Sequence, residues 1–141
     1  MKKFDTAKSL VPQPVIKKTK EATPFAVIYF GSTSPAMAEA IEVLAGANTH
    51  LDTLRLRAFP FPNSVANFIA EHQFVFVVEQ NRDAQVRSLL INEFGIDPAK
   101  LFAILHYDGT PITARFISNA ISSQIEKLYI ASMQSQKVVT P

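Results

Sequence analysis

Four polar clusters hold the residues of this chain with the types to do chemistry. They are Gly31-Ser32-Thr33-Ser34, Arg55 with Arg57, Glu79-Gln80-Asn81-Arg82-Asp83, and His106-Tyr107-Asp108-Gly109. Small hydroxyl residues ahead of a helix can hold an anion on free backbone N–H groups. Two arginines two positions apart suit a carboxylate or a phosphate. Glu79, Asp83, His106 and Asp108 bring oxygen and imidazole donors of the kind that hold metals, and His106 has the chemistry of a general base.

Each cluster also has a structural use. Gly31-Ser32-Thr33-Ser34 lacks both the GxGxxG spacing and the lysine of GxxxxGK[ST], so a plain helix cap is the simpler reading. Arg55 and Arg57 can pair with Glu79 or Asp83, within the domain or across a subunit interface. Asp83 can cap the next helix while Arg82 pairs outward. The four acid and imidazole groups show no recognised ligand spacing, and no Ser or Cys nucleophile motif accompanies His106. His50 and His72 read as surface positions near turns.

The elements that must position these clusters are strands. Phe74-Val75-Phe76-Val77-Val78 is an unbroken apolar run, the pattern of a strand covered on both faces in a parallel sheet. Phe25–Phe30 and Leu101–Leu105 have the same character, and Leu51–Leu56 alternates in part. Helical patterns stand between them. Met37, Ala40, Ile41 and Leu44 share one face, with Ser34 expected as N-cap, Pro35 in the first turn and Gly46 as the stop. Val65, Phe68 and Ile69 form a short helix capped by Asn63 or Ser64. Val86, Leu89, Leu90 and Phe94 form another, ended by Gly95. Asp97-Pro98 opens a single turn. Ile117, Ala120, Ile121, Ile125 and Leu128 face inward on a last helix capped by Thr113.

Strand then helix, four times over, predicts a three-layer α/β/α, Rossmann-like domain with a mostly parallel sheet of about five strands. Every polar cluster then follows a strand. In a parallel sheet those positions share the carboxyl edge, where open α/β sheets bind their ligands. Phe59-Pro60-Phe61-Pro62 is a rigid apolar turn at the same edge and, if exposed, a contact patch for another domain.

At 141 residues the chain is long enough for one domain with a real core. The expected boundaries are a basic, Pro-containing linker over 1–24 with a short edge strand near Val15-Ile16, the α/β domain over 25–132, and a polar, frayed tail over 133–141. Net charge is +2, but residues 1–20 carry six Lys and one Asp, so the remainder carries eight bases and eleven acids. That mildly acidic body argues against nucleic acid as a partner. No apolar run approaches the roughly 20 residues that span a bilayer, and the N-terminus lacks the apolar core of a secretory signal, so a cytoplasmic location is the default expectation. The absence of Cys removes disulfides, thiol nucleophiles and Cys-ligated zinc or iron–sulfur sites from this chain.

Four ordered motifs resemble one family. They are Phe30-Gly31-Ser32-Thr33, then Leu54-Arg55-Leu56-Arg57-Ala58-Phe59-Pro60-Phe61-Pro62, then Val78-Glu79-Gln80-Asn81-Arg82-Asp83 with Gln85, then Leu105-His106-Tyr107-Asp108-Gly109 with Pro111-Ile112-Thr113-Ala114-Arg115. Across about residues 20–125 the chain is similar to the C-terminal domain of the α subunit of 2-oxoacid:ferredoxin oxidoreductases, most closely the 2-oxoglutarate type. That domain is transketolase C-terminal-like and corresponds to domain II of pyruvate:ferredoxin oxidoreductase. One departure is Ala84, where the family usually has Gly. A left-handed turn there suits Ala poorly.

The resemblance implies a complex that decarboxylates a 2-oxoacid on thiamine diphosphate, passes electrons through iron–sulfur clusters to ferredoxin and makes an acyl-CoA. It places thiamine diphosphate, Mg²⁺ and the clusters on other domains and subunits, with none in this chain. The chain is then expected to be inactive alone and to act as an assembly domain, either a fragment or a separately encoded piece. Its partners would be the thiamine-binding α domain, the β and γ subunits and, indirectly, ferredoxin. Arg55, Arg57, Phe59, Phe61, Glu79, Asn81, Arg82, Asp83, His106 and Asp108 are the interface candidates. The alternative expectation is a free-standing module that binds a small ligand or anion at the same edge.

Overall fold

Val75, Phe76, Val77 and Val78 have no exposed surface, because the strand that carries them lies in the middle of a sheet with helices on both faces. The computed structural model describes the backbone of residues 2–137 and the side-chain surroundings of residues 6–136. The elements are α1 (Lys2–Leu10), β1 (Val15–Lys17), β2 (Phe25–Phe30), α2 (Ser34–Gly46), β3 (Asp52–Leu56), α3 (Asn63–Ala70), β4 (Phe74–Glu79), α4 (Gln85–Phe94), β5 (Leu101–Leu105) and α5 (Ala114–Lys137). The sheet runs β1-β3-β2-β4-β5. The last four strands of that order are parallel and β1 is antiparallel at the edge, with Val15 opposite Arg55 and Lys17 opposite Thr53.

Strand pleat divides the core in two. Val27, Phe76, Val78 and Ile104 meet Met37, Ala40 and Leu44 of α2 and Ile117, Ile121 and Ile125 of α5 on one face. Ile28, Leu54, Leu56, Val75 and Val77 meet Val65, Phe68 and Ile69 of α3 and Leu90 of α4 on the other. These are the residues that the helical spacing turns inward. Burial of each large apolar side chain is worth roughly 1.5–3 kcal/mol, which is why the hydrophobic period governs the architecture.

The connections reverse at one place. From β2 the chain crosses to β3 on one side, and from β4 it crosses to β5 on the other, so β2 and β4 are neighbours at a topological switch point.

Several element ends differ from the sequence reading. Residues 2–10 are helical rather than linker, since nothing before Pro12 breaks a helix; the edge strand after Pro14 is present as expected. The helix α5 continues through Met133 to Lys137, because Met133-Gln134-Ser135-Gln136 contains no Gly or Pro; the rest of the expected polar tail, 138–141, lies outside the described residues. Gly46 lies within α2, and Asn48 takes the left-handed turn at φ 58°. No side chain caps α2 or α3: Thr33 precedes α2 in helical backbone, and Pro62 precedes α3. The Ser34 hydroxyl instead donates to Gly31 O at 2.9 Å. Thr113 does cap α5, its Oγ1 accepting from Phe116 N at 3.1 Å. Asp97 likewise accepts from Ala99 N at 2.9 Å.

Candidate functional site at the carboxyl edge of the sheet

Parallel register brings the ends of β2, β3, β4 and β5 to one rim. Phe30 is the partner of Leu56, and Glu79 of Leu105. Arg57, Gln80 and His106 are the next residues of their strands, so the four polar clusters do share an edge. The His106 N–H donates to Glu79 O at 2.9 Å, which extends the β4–β5 ladder past the last strand residue.

Glu79 turns out to be an internal strut. It is fully buried, with one carboxylate oxygen accepting from Val86 N and from Asn81 Nδ2, each at 2.8 Å, and the other from Arg87 N at 2.8 Å. Asn81 Oδ1 accepts from Asp83 N at 3.1 Å and Gln85 N at 3.3 Å. Glu79 and Asn81 thus satisfy three of the free N–H groups at the start of α4, where a negative charge also complements the helix dipole. Asp83, the expected cap, is exposed and ion-paired only to its neighbour Arg82 at 3.1 Å. The reason is backbone geometry: Ala84 sits in the left-handed region at φ 50°, ψ 48°, and that turn aims the helix N-terminus back at β4.

Gln80 closes the switch point. Its amide donates to Ser32 Oγ and to Thr33 Oγ1, both at 3.1 Å, bridging the ends of β2 and β4. The hydroxyls that could have cradled an anion are engaged by a side chain.

His106 is buried against Phe116, ring centroids 4.8 Å apart. Its Nε2 lies 2.9 Å from Thr110 O and 3.2 Å from Asp108 Oδ1. Asp108 in turn accepts from Thr110 Oγ1 at 2.6 Å and Thr110 N at 2.8 Å. Those Thr110 hydrogen bonds, the hydroxyl's first, hold the exposed Asp108 carboxyl below its ordinary range. The cluster folds the 106–110 turn. Glu79, Asp83, His106 and Asp108 do not converge, and among the described residues no three acidic or imidazole groups are placed to hold a metal ion.

Arg55 and Arg57 were expected to pair with Glu79 or Asp83. Neither does: both are exposed, and neither belongs to any of the ion pairs among the described residues. Glu79 is already bonded to the start of α4, and Asp83 pairs through one oxygen with Arg82. Arg55 lies opposite Tyr29 on β2. Burial raises the Tyr29 phenol above its ordinary value and the Arg55 charge opposes this. The Phe59–Phe61 turn splits: Phe59 is 45% exposed while Phe61 is buried, their rings edge-to-face at 5.2 Å. Phe30, Gly31, Leu56, Arg57, Phe59, Phe61, Val86 and Leu89 line an apolar groove of about 320 Å³ beside Arg57. Of the ten candidates, Glu79, Phe61 and His106 are therefore internal supports, and Arg55, Arg57, Phe59, Arg82, Asp83 and Asp108 present surface at the rim, with Asn81 half-buried between.

One buried polar site was missed. His72, expected at the surface, has Nδ1 2.7 Å from Phe68 O and Nε2 3.0 Å from Asp52 Oδ2, with 4% of the residue exposed. Asp52 Oδ1 accepts from Thr19 N at 2.8 Å and Thr19 Oγ1 at 3.0 Å. The only sequence signal was an acid standing at the head of an apolar strand. This site lies at the opposite, amino end of β3. Among the described residues no helix is long and apolar enough to cross a membrane.

The fold is a three-layer α/β/α domain of Rossmann type with exposed polar residues at the carboxyl ends of its strands. No family model matches the sequence, and no curated protein matches it. Among solved structures, the chain is similar to the 2-oxoglutarate:ferredoxin oxidoreductase of Magnetococcus marinus, solved with 2-oxoglutarate, coenzyme A and succinyl-CoA bound. The TM-score is 0.75 at 20% identity over 86% of this chain, which spans 21% of that one. It is also similar to the alpha chain of a probable 2-oxoacid ferredoxin oxidoreductase from Thermoplasma acidophilum, with TM-score 0.54 and 28% identity, covering 81% of this chain and 97% of that one. The resemblance carried by the four motifs is thus present in three dimensions: the chain has the fold of a domain found in 2-oxoacid:ferredoxin oxidoreductases.

Proposed function

We propose that this chain is the assembly domain of the α subunit of a 2-oxoacid:ferredoxin oxidoreductase, of the 2-oxoglutarate type, and that it does no redox chemistry itself. The observation that carries this is the rim: Arg55 and Arg57 stand exposed at the end of β3, neither in an ion pair among the described residues, and Phe59 follows them with 45% of its surface exposed. Likeness to an alpha chain along nearly its whole length supports the same reading. In this proposal thiamine diphosphate, Mg²⁺ and the iron–sulfur clusters belong to the partner domains and subunits, and the absence of Cys from these 141 residues agrees with that division.

The test is co-expression with the thiamine-binding α domain and the β and γ subunits. Arg57→Ala should reduce recovery of the assembled complex several-fold while the melting temperature of the isolated chain stays within about 2 °C, since exposed substitutions change stability by only about 0.5 kcal/mol. Undiminished assembly with a lost fold would reject the proposal. Tight calorimetric binding of 2-oxoglutarate, coenzyme A or thiamine diphosphate by the isolated chain would instead favour a free-standing small-ligand binder.

A further inference from the structure

We infer that the groove between the ends of β2 and β3 receives a peptide segment of a partner subunit that carries an aromatic or branched apolar side chain next to a carboxylate. This rests on the assembly reading and adds the chemistry of what is bound. The groove walls are Phe30, Leu56, Phe59, Phe61, Val86 and Leu89. Phe61 and Leu56 form a buried floor, and Phe59 stands at the lip. Packing against Phe94, with ring centroids 6.3 Å apart, fixes the Phe61 ring. A floor held in this way is preformed, so little ordering cost falls on binding.

Charge selects the second half of the ligand. Arg57 lines the same groove, is exposed and takes part in no ion pair among the described residues. Of the acids along the rim, Glu79 is buried and bonded to the start of α4, and Asp83 pairs with its neighbour Arg82. A guanidinium beside an apolar slot recognises an anchor side chain flanked by a carboxylate, where the fork geometry adds direction to the hydrophobic contact. At about 320 Å³ the groove is at the small end of pockets that enclose whole ligands, and fits one anchor side chain of a longer chain.

The test is a titration of the full chain, followed by backbone amide NMR, with three probes: acetyl-Ala-Ala-Phe-Asp-Ala-amide, the same peptide with Asn for Asp, and phenylacetate. The Asp peptide should give saturable shifts centred on Gly31, Ala58, Phe59 and Leu89. The Asn peptide should bind about threefold more weakly, the size of an exposed ion pair. Arg57→Gln should erase that difference while Leu89→Asp, which charges the slot, should abolish binding of both peptides. Equal affinity of the two peptides for the wild-type chain, or shifts lying elsewhere, would overturn the inference. So would phenylacetate binding as tightly as the Asp peptide, which would assign the groove to a small carboxylate. A chain that ignores both peptides yet still assembles with its partner subunits also overturns it, and leaves the assembly role standing.

Discussion

Asp52 and His72 form a buried pair, Oδ2 to Nε2 at 3.0 Å, that ties the first strand of the chain to the body of the domain. The other His72 nitrogen, Nδ1, lies 2.7 Å from Phe68 O, so both ring nitrogens are engaged inside the fold. The other Asp52 oxygen holds Thr19, just beyond β1. Removing one partner strands the other in a poorly solvated site, at a cost of about 3 kcal/mol. Asp52→Ala and His72→Ala should each lower the urea unfolding free energy by that amount. The double variant should cost much less than the two together, because the groups interact directly. Additive losses would show that the pair is not coupled.

The same site gives the chain a pH dependence of known sign. Burial pushes the Asp52 carboxyl up, but hydrogen bonds from Thr19 N, His72 and Thr19 Oγ1 outweigh it, and the net shift is downward. A lowered carboxylate value stabilises the fold above the ordinary Asp value of about 3.9, and that contribution fades as pH falls through the lowered value. Asp52→Asn should therefore flatten the acid limb of stability against pH, measured by chemical denaturation from about pH 2 to pH 6. A limb of unchanged steepness would put its source elsewhere.

Glu79 is predicted to be a stability residue rather than a contact residue. Glu79→Ala leaves Val86 N and Arg87 N without their acceptor at the start of α4 and should cost roughly 2–3 kcal/mol. Glu79→Gln keeps one acceptor oxygen and should cost about half as much. Hydrogen exchange at Val86 and Arg87 should accelerate in both, more in the Ala variant. Slow exchange at those amides in Glu79→Ala would contradict the strut.

Ala84 sits at φ 50°, where a Cβ crowds the backbone. A left-handed Ala costs about 1–2 kcal/mol, and the extra freedom that Gly brings to the unfolded chain recovers part of that. Ala84→Gly should therefore raise stability by about 0.5–1 kcal/mol, read from the thermal midpoint. A loss of stability would mean that the turn is not held in this conformation.

Much of the architecture was legible in the sequence because it rests on period alone. The apolar runs at 25–30, 74–78 and 101–105 could be buried only with both faces covered, and the i, i+3, i+4 spacing in α2, α3 and α5 named the residues that cover them. Strand-then-helix order fixed the parallel direction, and with it the sharing of one edge by Arg57, Glu79 and His106.

Tertiary structure alone decided which of those edge residues face outward. Glu79, Asp83 and Asp108 are all carboxylates at or just beyond the end of an apolar strand run, and residue type does not say which will be buried. Glu79 is buried because the left-handed turn at Ala84 swings the N-terminus of α4 onto it, while Asp83 is left at the surface with Arg82. His72 and Asp52 are 20 residues apart and meet only because α3 packs back across β3. Period is a property of neighbours along the chain and can be read from it; the pairing of buried polar groups depends on where separate elements come to rest, and only the folded molecule determines that.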